Sequence, residues 1–342
     1  MTSAAGLLAT EPPLKVAVVG AGLSGLTCAR VVSDHGHRVR VFDKARGPGG
    51  RMSTRRACEH HFDHGAQYFT VRDPRFARWV DGWRRDGLVA VWTGEIAVVE
   101  GGATLIKDVD TERWVAVPGM NSICRHLAAG LEMSYETRVS GMHRMDGRWH
   151  LEAEGGFEIG EFDALVVSAP APQTAALLES AAPELAARAA EVEMAPCWAA
   201  MVTFPRRLDT AFDGAFLHRS ALSWAARNAS KPGRPDGESW ILHGSPDWSR
   251  EHMELERDQA AACLLEAFGD AVGGLPVDPA HLDAHRWRFA LPVEALPEAC
   301  LFDPELSLAA CGDWCGGPRV EGAFLSGLAA ADQILSLRPA PR

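Results

Sequence analysis

The sequence predicts an α/β protein of two domains, one a mostly parallel sheet wrapped by helices, the other an antiparallel sheet with helices of its own. Three observations predict it. At 342 residues the chain exceeds what one small core serves, so two domains are the expectation. Residues 15–19 form a short apolar strand that runs straight into a glycine-rich turn and a helical stretch, the grammar of a parallel sheet covered on both faces. Further on, "WAAMVTFPRRL", "GAFLHRS", "ESWILHGSP" and "HLDAHRWRFALP" read as antiparallel strands, with helical runs near 181–192 and 255–270.

The first stretch carries the clearest chemistry. After the strand, Gly20, Gly22 and Gly25 give GxGxxG, a helix follows to about residue 35, and a second strand, 37–42, ends at Asp43. Gly20 permits the tight turn, Gly22 lets backbone approach a pyrophosphate, and Gly25 lets helix and strand pack closely. The phosphates would sit at the helix N-terminus, where free N–H groups and the dipole favour negative charge. Asp43, 23 residues after Gly20, stands where a carboxylate accepts from ribose hydroxyls. A Rossmann-type dinucleotide site follows.

Composition excludes other classes. A formal charge of −11 argues against nucleic acid, whose phosphates need a positive field. Eight cysteines without a CxxC pair give no disulfide framework, and Cys58, His60, His61 and His64 lack zinc spacing, so no metal is expected. The first thirteen residues have neither a basic start nor a long apolar stretch, and no run of about 18 apolar residues occurs, so neither signal peptide nor membrane span is read and the expectation is cytoplasmic.

A second glycine loop, "KARGPGGRMSTRR", follows Asp43, then "FDHGAQYFT", and "CGDWCGGPRVEGAFLSG" comes near the C-terminus. A plain nicotinamide-binding unit needs no second clamp. The series GxGxxG, acid, GGR, DxG, and finally GD…EGA…SG resembles the flavin amine oxidase superfamily. The finer text, "GGRMSTRR", "FDHGAQYFTVRDPRF", "LSWAARNASKP", "WILHGSPDWS", "HRWRFALP" and the C-terminal segment, is similar to bacterial renalases and spans almost the whole chain from Lys15.

The resemblance implies FAD, held without a covalent bond. It assigns Gly20, Gly22, Leu23, Ser24 and Gly25 to the pyrophosphate and Asp43 with Lys44 to the adenosine end, with Val139 near the adenine. Gly50 and Arg51 would face the phosphates, and Gly65, Ala66, Gln67 and Tyr68 would run beside the isoalloxazine ring. At the far end of the chain, Gly312 and Asp313 would reach the ribityl or pyrophosphate region. A helix starting near Glu321, with Gly322 and Ala323, would aim its N-terminus at the flavin's pyrimidine edge, where negative charge gathers on reduction. The FAD domain is then discontinuous, 14–71, 111–178 and 300–338, and 72–110 with 179–299 form the substrate domain. "NASKPGRPDGES" reads as an exposed loop between strands.

The implied activity is oxidation of 2- or 6-dihydro isomers of NAD(P) to NAD(P)⁺ by hydride transfer to flavin N5, with oxygen reduced to hydrogen peroxide. Such a substrate needs no strong base, since its ring nitrogen pushes the hydride out and an aromatic pyridinium forms. Asn228, His243, Arg286, Trp287 and Trp314 are the candidates for holding the ring and its carboxamide. One alternative is an amine oxidase. Against it, the chain has only Tyr68 and Tyr135 for an aromatic cage, and neither Lys107 nor Lys231 sits in a strand of the second domain. The other alternative is a flavin-binding redox sensor without turnover.

Overall fold

A computed structural model describes residues 12–107 and 111–337. The start of the chain, read as free of a leader, and the domain limits placed at 110 and 338 lie outside the described residues. Two large sheets organise the rest. The first has six strands in the order Leu301–Asp303, Leu308–Ala310, Ala164–Val167, Lys15–Val19, Arg38–Phe42 and Glu132–Ser134. Its pairings are parallel except the edge pair 301–303 with 308–310. The buried run Val16 to Val19 explains the central position of its strand, which needs apolar side chains on both faces. A three-stranded antiparallel hairpin sheet, Val139–Met145, Arg148–Ala153 and Phe157–Phe162, stands beside it.

The second sheet has seven strands, in the order His281–Pro292, Met194–Phe204, Glu238–Gly244, Leu222–Arg227, Gly214–Leu217, Ile96–Glu100 and Ala103–Ile106. It is antiparallel apart from the pairing of 214–217 with 96–100. Strand alternation sorts its side chains. Trp198, Ala200, Val202, Trp240, Leu242 and Ala284 pack with Leu264 and Phe268 of the helix Arg257–Val272. On the other face Met201 and Ile241 meet Phe62, and Trp224 and Ala226 join the core of the dinucleotide domain. That second face is therefore the wall turned toward the first domain.

The expected elements appear within a few residues of their sequence limits. One segment divides differently: the helix Pro74–Arg85, placed by sequence in the substrate domain, lays Phe76 against Phe324 of the C-terminal helix, Arg319–Ser336, with ring centroids 4.9 Å apart. Strands 96–100 and 103–106 of the same segment join the seven-stranded sheet. The C-terminal helix also meets the first helix, Leu23–Asp34. A Cβ on Gly327 would lie 2.3 Å from the Ser24 carbonyl, so only glycine allows this approach.

Candidate active site

The turn after the first strand leaves an open cradle at the N-terminus of the first helix. Gly20 has φ +115°, its N–H donates to the Phe42 carbonyl at 2.8 Å, and a Cβ there would lie 2.6 Å from the Ser168 carbonyl oxygen. Gly22 caps the first helix, with no side chain bonded to the free N–H groups behind it. A Cβ on Gly22 would meet nothing within 4 Å, so open space lies where a diphosphate would sit at the ends of Leu23 and Ser24. The second glycine loop rests on the first: Gly49 N–H donates to the Ala21 carbonyl, and a Cβ on Gly50 would lie 3.3 Å from Gly22 Cα. Glycine residues and free donors around an open cradle fit a dinucleotide.

Asp43 closes the second strand beside the glycine turn. Its two oxygens accept from Ala21 N–H at 2.6 Å and Ala45 N–H at 2.7 Å, and each keeps a lone pair for a ribose hydroxyl. Thr137 N–H donates to the Asp43 carbonyl, which brings the buried Val139 close by, and Lys44 stands exposed beside it. Asp43→Ala is expected to weaken FAD binding by about one to two orders of magnitude, the loss of hydrogen bonds to a charged acceptor. Titration of the apoprotein with FAD measures it, and an unchanged dissociation constant removes Asp43 from the site.

The two ends of the chain meet through Arg51 and Asp313. The guanidinium donates to both carboxylate oxygens at 2.7 and 2.6 Å and to the Ala290 carbonyl at 3.0 Å. The sequence set Arg51 facing the phosphates and Asp313 at the ribityl or pyrophosphate region; the structure adds that each is the other's partner. Glu321 differs likewise, because Oε1 accepts from Arg72 and Asp73 N–H at 2.8 Å each, tying the C-terminal helix to the loop before helix 74–85. Gly312 N–H donates to Ser326 Oγ, and a Cβ on Gly322 would lie 1.9 Å from the Gly317 carbonyl; Ala323 is half-buried alongside.

"FDHGAQYF" then runs along the wall of the second sheet. Gly65 and Ala66 press on Arg51: a Cβ on Gly65 would lie 2.0 Å from its carbonyl oxygen, which accepts from Ala66 N–H at 2.9 Å. Gln67 faces His243, 3.5 Å between their Nε2 atoms, and its Oε1 accepts from Lys231 Nζ at 3.0 Å. Asn228, fully buried, hydrogen-bonds the His61 carbonyl through Nδ2 and accepts from Lys231 through Oδ1 at 3.1 Å. Trp287 donates to the His64 carbonyl at 2.9 Å and stacks on the His64 ring, centroids 5.1 Å apart. Gln67, placed by sequence beside the isoalloxazine ring, thus lies with three of the candidates for holding the substrate, Asn228, His243 and Trp287.

Two candidates do not join them. Arg286 pairs across the sheet with Trp198 and shares its face, the one covered by helices; it bonds the Met253 carbonyl and Glu254 and lies over the Trp198 ring. His243 and Trp287 point the other way. Strand parity, one residue out, puts Arg286 on the wrong side. Trp314 is fully buried in the core beneath the first sheet, its Nε1–H on the Ala169 carbonyl, so it is a packing residue.

The structure adds residues that sequence reading missed. Lys231, taken for part of an exposed loop, is wholly buried with Asp63 and Arg234. Tyr68, Trp92 and Trp224 cluster with ring centroids 5.6–6.4 Å apart, and Lys231 Nζ lies 5.7 Å from the Trp92 ring. The sequence reading placed no lysine here; the structure buries Lys231 against Gln67 and Asn228, with the Trp92 ring beside it. Lys231 is one of only four lysines and sits three residues from Asn228, the one sequence signal that could have found it.

Burial sets the protonation of this wall. It pushes His64 down to about 3, helped by His285 and Arg55, and His243 and His285 each down to about 4, so all three rings are neutral at pH 7. Burial likewise lowers Lys231 to about 7 against the pull of Asp63. Two surface hollows of about 470 and 480 Å³ border Arg219 and Trp248 away from these groups; convergent chemistry, not volume, locates the site.

Residues 18–83 match an NAD(P)-binding Rossmann-like domain and residues 100–335 the flavin containing amine oxidoreductase family. L-amino-acid oxidases of Gloydius halys and Daboia russelii are 51% and 45% identical over 51 residues, 15% of this chain. The match thus spans about a tenth of the length of these curated relatives. In structure, a protein of Exiguobacterium sp. 255-15 described as a protoporphyrinogen oxidase superposes with TM-score 0.77 at 13% identity, over 95% of this chain and 99% of its own. Putrescine oxidase bound to putrescine gives 0.71 at 14% identity, over 95% and 100%. With a family match over more than half its length and the fold to go with it, this chain belongs to the flavin containing amine oxidoreductase family.

Proposed function

We propose that the protein is an FAD-dependent oxidase of renalase type, oxidising 2- or 6-dihydro isomers of NAD(P) to NAD(P)⁺. One observation carries the choice of substrate. The acids of the wall are paired, Asp63 to Arg234, Asp283 to Arg55 and Asp313 to Arg51, while its histidines are held neutral. Such a wall presents neutral flat rings and no unpaired acid to hold an ammonium ion, which suits a nicotinamide ring better than an amine. FAD, bound non-covalently in the cradle, would take up the hydride and pass the electrons to oxygen, giving hydrogen peroxide. The chain's part is orientation: Trp287 and His64 supply a platform, and Gln67, Asn228 and His243 supply polar atoms for a carboxamide.

Amine oxidation is the second reading, favoured by Lys231 beside the Trp92 ring, which packs with Tyr68 and Trp224. A neutral lysine could accept the proton that an ammonium must lose. Anaerobic mixing separates the two readings. Dihydro isomers should bleach the flavin fast, and ordinary 4-dihydro-NADH and primary amines slowly. His243→Ala should slow the dihydro reaction, since a misplacement of about 1 Å can cost on the order of a hundredfold. Arg286→Ala, on the far face, should leave it unchanged. A primary amine that reduces the flavin faster than any dihydro isomer would establish the second reading instead.

A further inference from the structure

We propose that Arg234 is a positioning residue that favours the uncharged form of Lys231, by occupying the one acid within reach of it among the described residues. Asp63 is saturated. Its Oδ2 accepts from Arg234 Nε at 3.0 Å and from the adjoining guanidinium nitrogen at 2.5 Å. Its Oδ1 accepts from Thr54 Oγ1 at 2.7 Å and Met120 N–H at 2.9 Å. Lys231 Nζ stands 3.6 Å from Oδ2, beyond hydrogen-bond length.

What Lys231 does bond fits a neutral amine. It has two acceptors, Gln67 Oε1 at 3.0 Å and Asn228 Oδ1 at 3.1 Å, and both are uncharged amides. A neutral NH₂ has two N–H donors and a lone pair, so both donors are used and the lone pair stays free. An ammonium would carry a third N–H into the cluster with no acceptor for it.

Charge counting agrees. Asp63 and Arg234 cancel, and a second buried cation would leave an uncompensated charge among wholly buried side chains. The other titratable groups facing the cluster, His243 beside Gln67 and His61 near Asp63, have their pKa values lowered, chiefly by burial, and supply no counter-charge. The proton shed by Lys231 passes to solvent. The result is a buried base set by a residue whose side chain does not bond its amine, although the Arg234 N–H donates to the Lys231 carbonyl at 3.3 Å, and this holds whichever substrate is oxidised.

The chain's four lysines make the test direct. Holoenzyme labelled with ¹³C at lysine Cε should give four titrating signals, with Lys231 assigned by its loss in Lys231→Met. In the wild type it should titrate well below the other three. Arg234→Gln frees Asp63 for Lys231, and its midpoint should rise by about one unit or more, tenfold in the protonation equilibrium. Arg234→Lys keeps the cation without the fork and should fall between the two. The pH profile of flavin reduction should move in the same order. A wild-type Lys231 that titrates with the other lysines, or a midpoint that ignores both Arg234 variants, overturns the proposal. Because the NMR signal needs no turnover, that failure is distinct from a wrong substrate.

Discussion

Asp63→Ala should be the most destabilising single polar change in the chain, costing about 3–5 kcal/mol, because it strands the wholly buried Arg234 without its partner. At about 2.1 cal/mol/K per residue, that is a fall of roughly 4–7 °C in the melting temperature of 342 residues. It also removes the acceptor of Thr54 and Met120, so three elements lose their common anchor. The control is the double change Asp63→Leu with Arg234→Met, which should recover much of the loss, since replacing both partners leaves no buried charge. pH carries a second signature. Burial raises the Asp63 pKa, but Lys231 and Arg234 outweigh it and hold the carboxyl below its usual range. A depressed folded-state pKa gives stability that is complete above the unfolded value, about 3.9, and is lost as the pH falls through the folded one. Wild-type stability should therefore decline below about pH 4, and Asp63→Ala should be flatter there. Denaturant melts across that range decide it; equal slopes would detach Asp63 from acid stability.

Gly25→Ala should abolish flavin binding. The added methyl would sit 2.2 Å from the Gly20 carbonyl oxygen and 3.0 Å from Ser168 Cβ. The first of these is backbone, so no rotamer relieves it, and the helix must lift from the strand by an ångström or more. That shift carries the N–H groups of Leu23 and Ser24 away from the phosphates they would hold. The purified variant should be colourless, and a yellow protein with the wild-type flavin-to-protein ratio would contradict the cradle. Gly22→Ala offers the contrast: its methyl enters open space, so the fold should survive while FAD is excluded from the cradle.

The cradle was legible in the sequence because its parts are local: a strand, three glycines, a helix and an acid within 30 residues admit few arrangements. The seven-stranded sheet was nearly as legible, through the alternation of its strands. The substrate wall was legible only in part. His243 and Trp287 were found by text, yet Arg286, adjacent to Trp287, faces the helices, and nothing in "HRWRF" tells which parity points inward until the register with residues 194–204 is known. Lys231 and Arg234 read as loop because "SKPGRP" is polar and rich in proline and glycine. Their burial depends on an acid 171 residues from Arg234, and a pair of that separation leaves no periodic trace. Trp314 lies in a turn that looked cofactor-facing, whereas the carbonyl of Ala169, 145 residues away, claims its indole.

Arg51 waits for Asp313, and Ser24 for Gly327, and that sets a clock on biosynthesis. Ribosomes add about 5–20 residues per second, so roughly 15–60 s separate emergence of the glycine turn from emergence of the helix that packs on it. During that interval the nascent turn has no clasp, and the first helix exposes the glycine-matched face that the C-terminal helix will cover. The clasp over the turn is therefore set by emergence of the helix Arg319–Ser336 rather than by synthesis of the glycine motif.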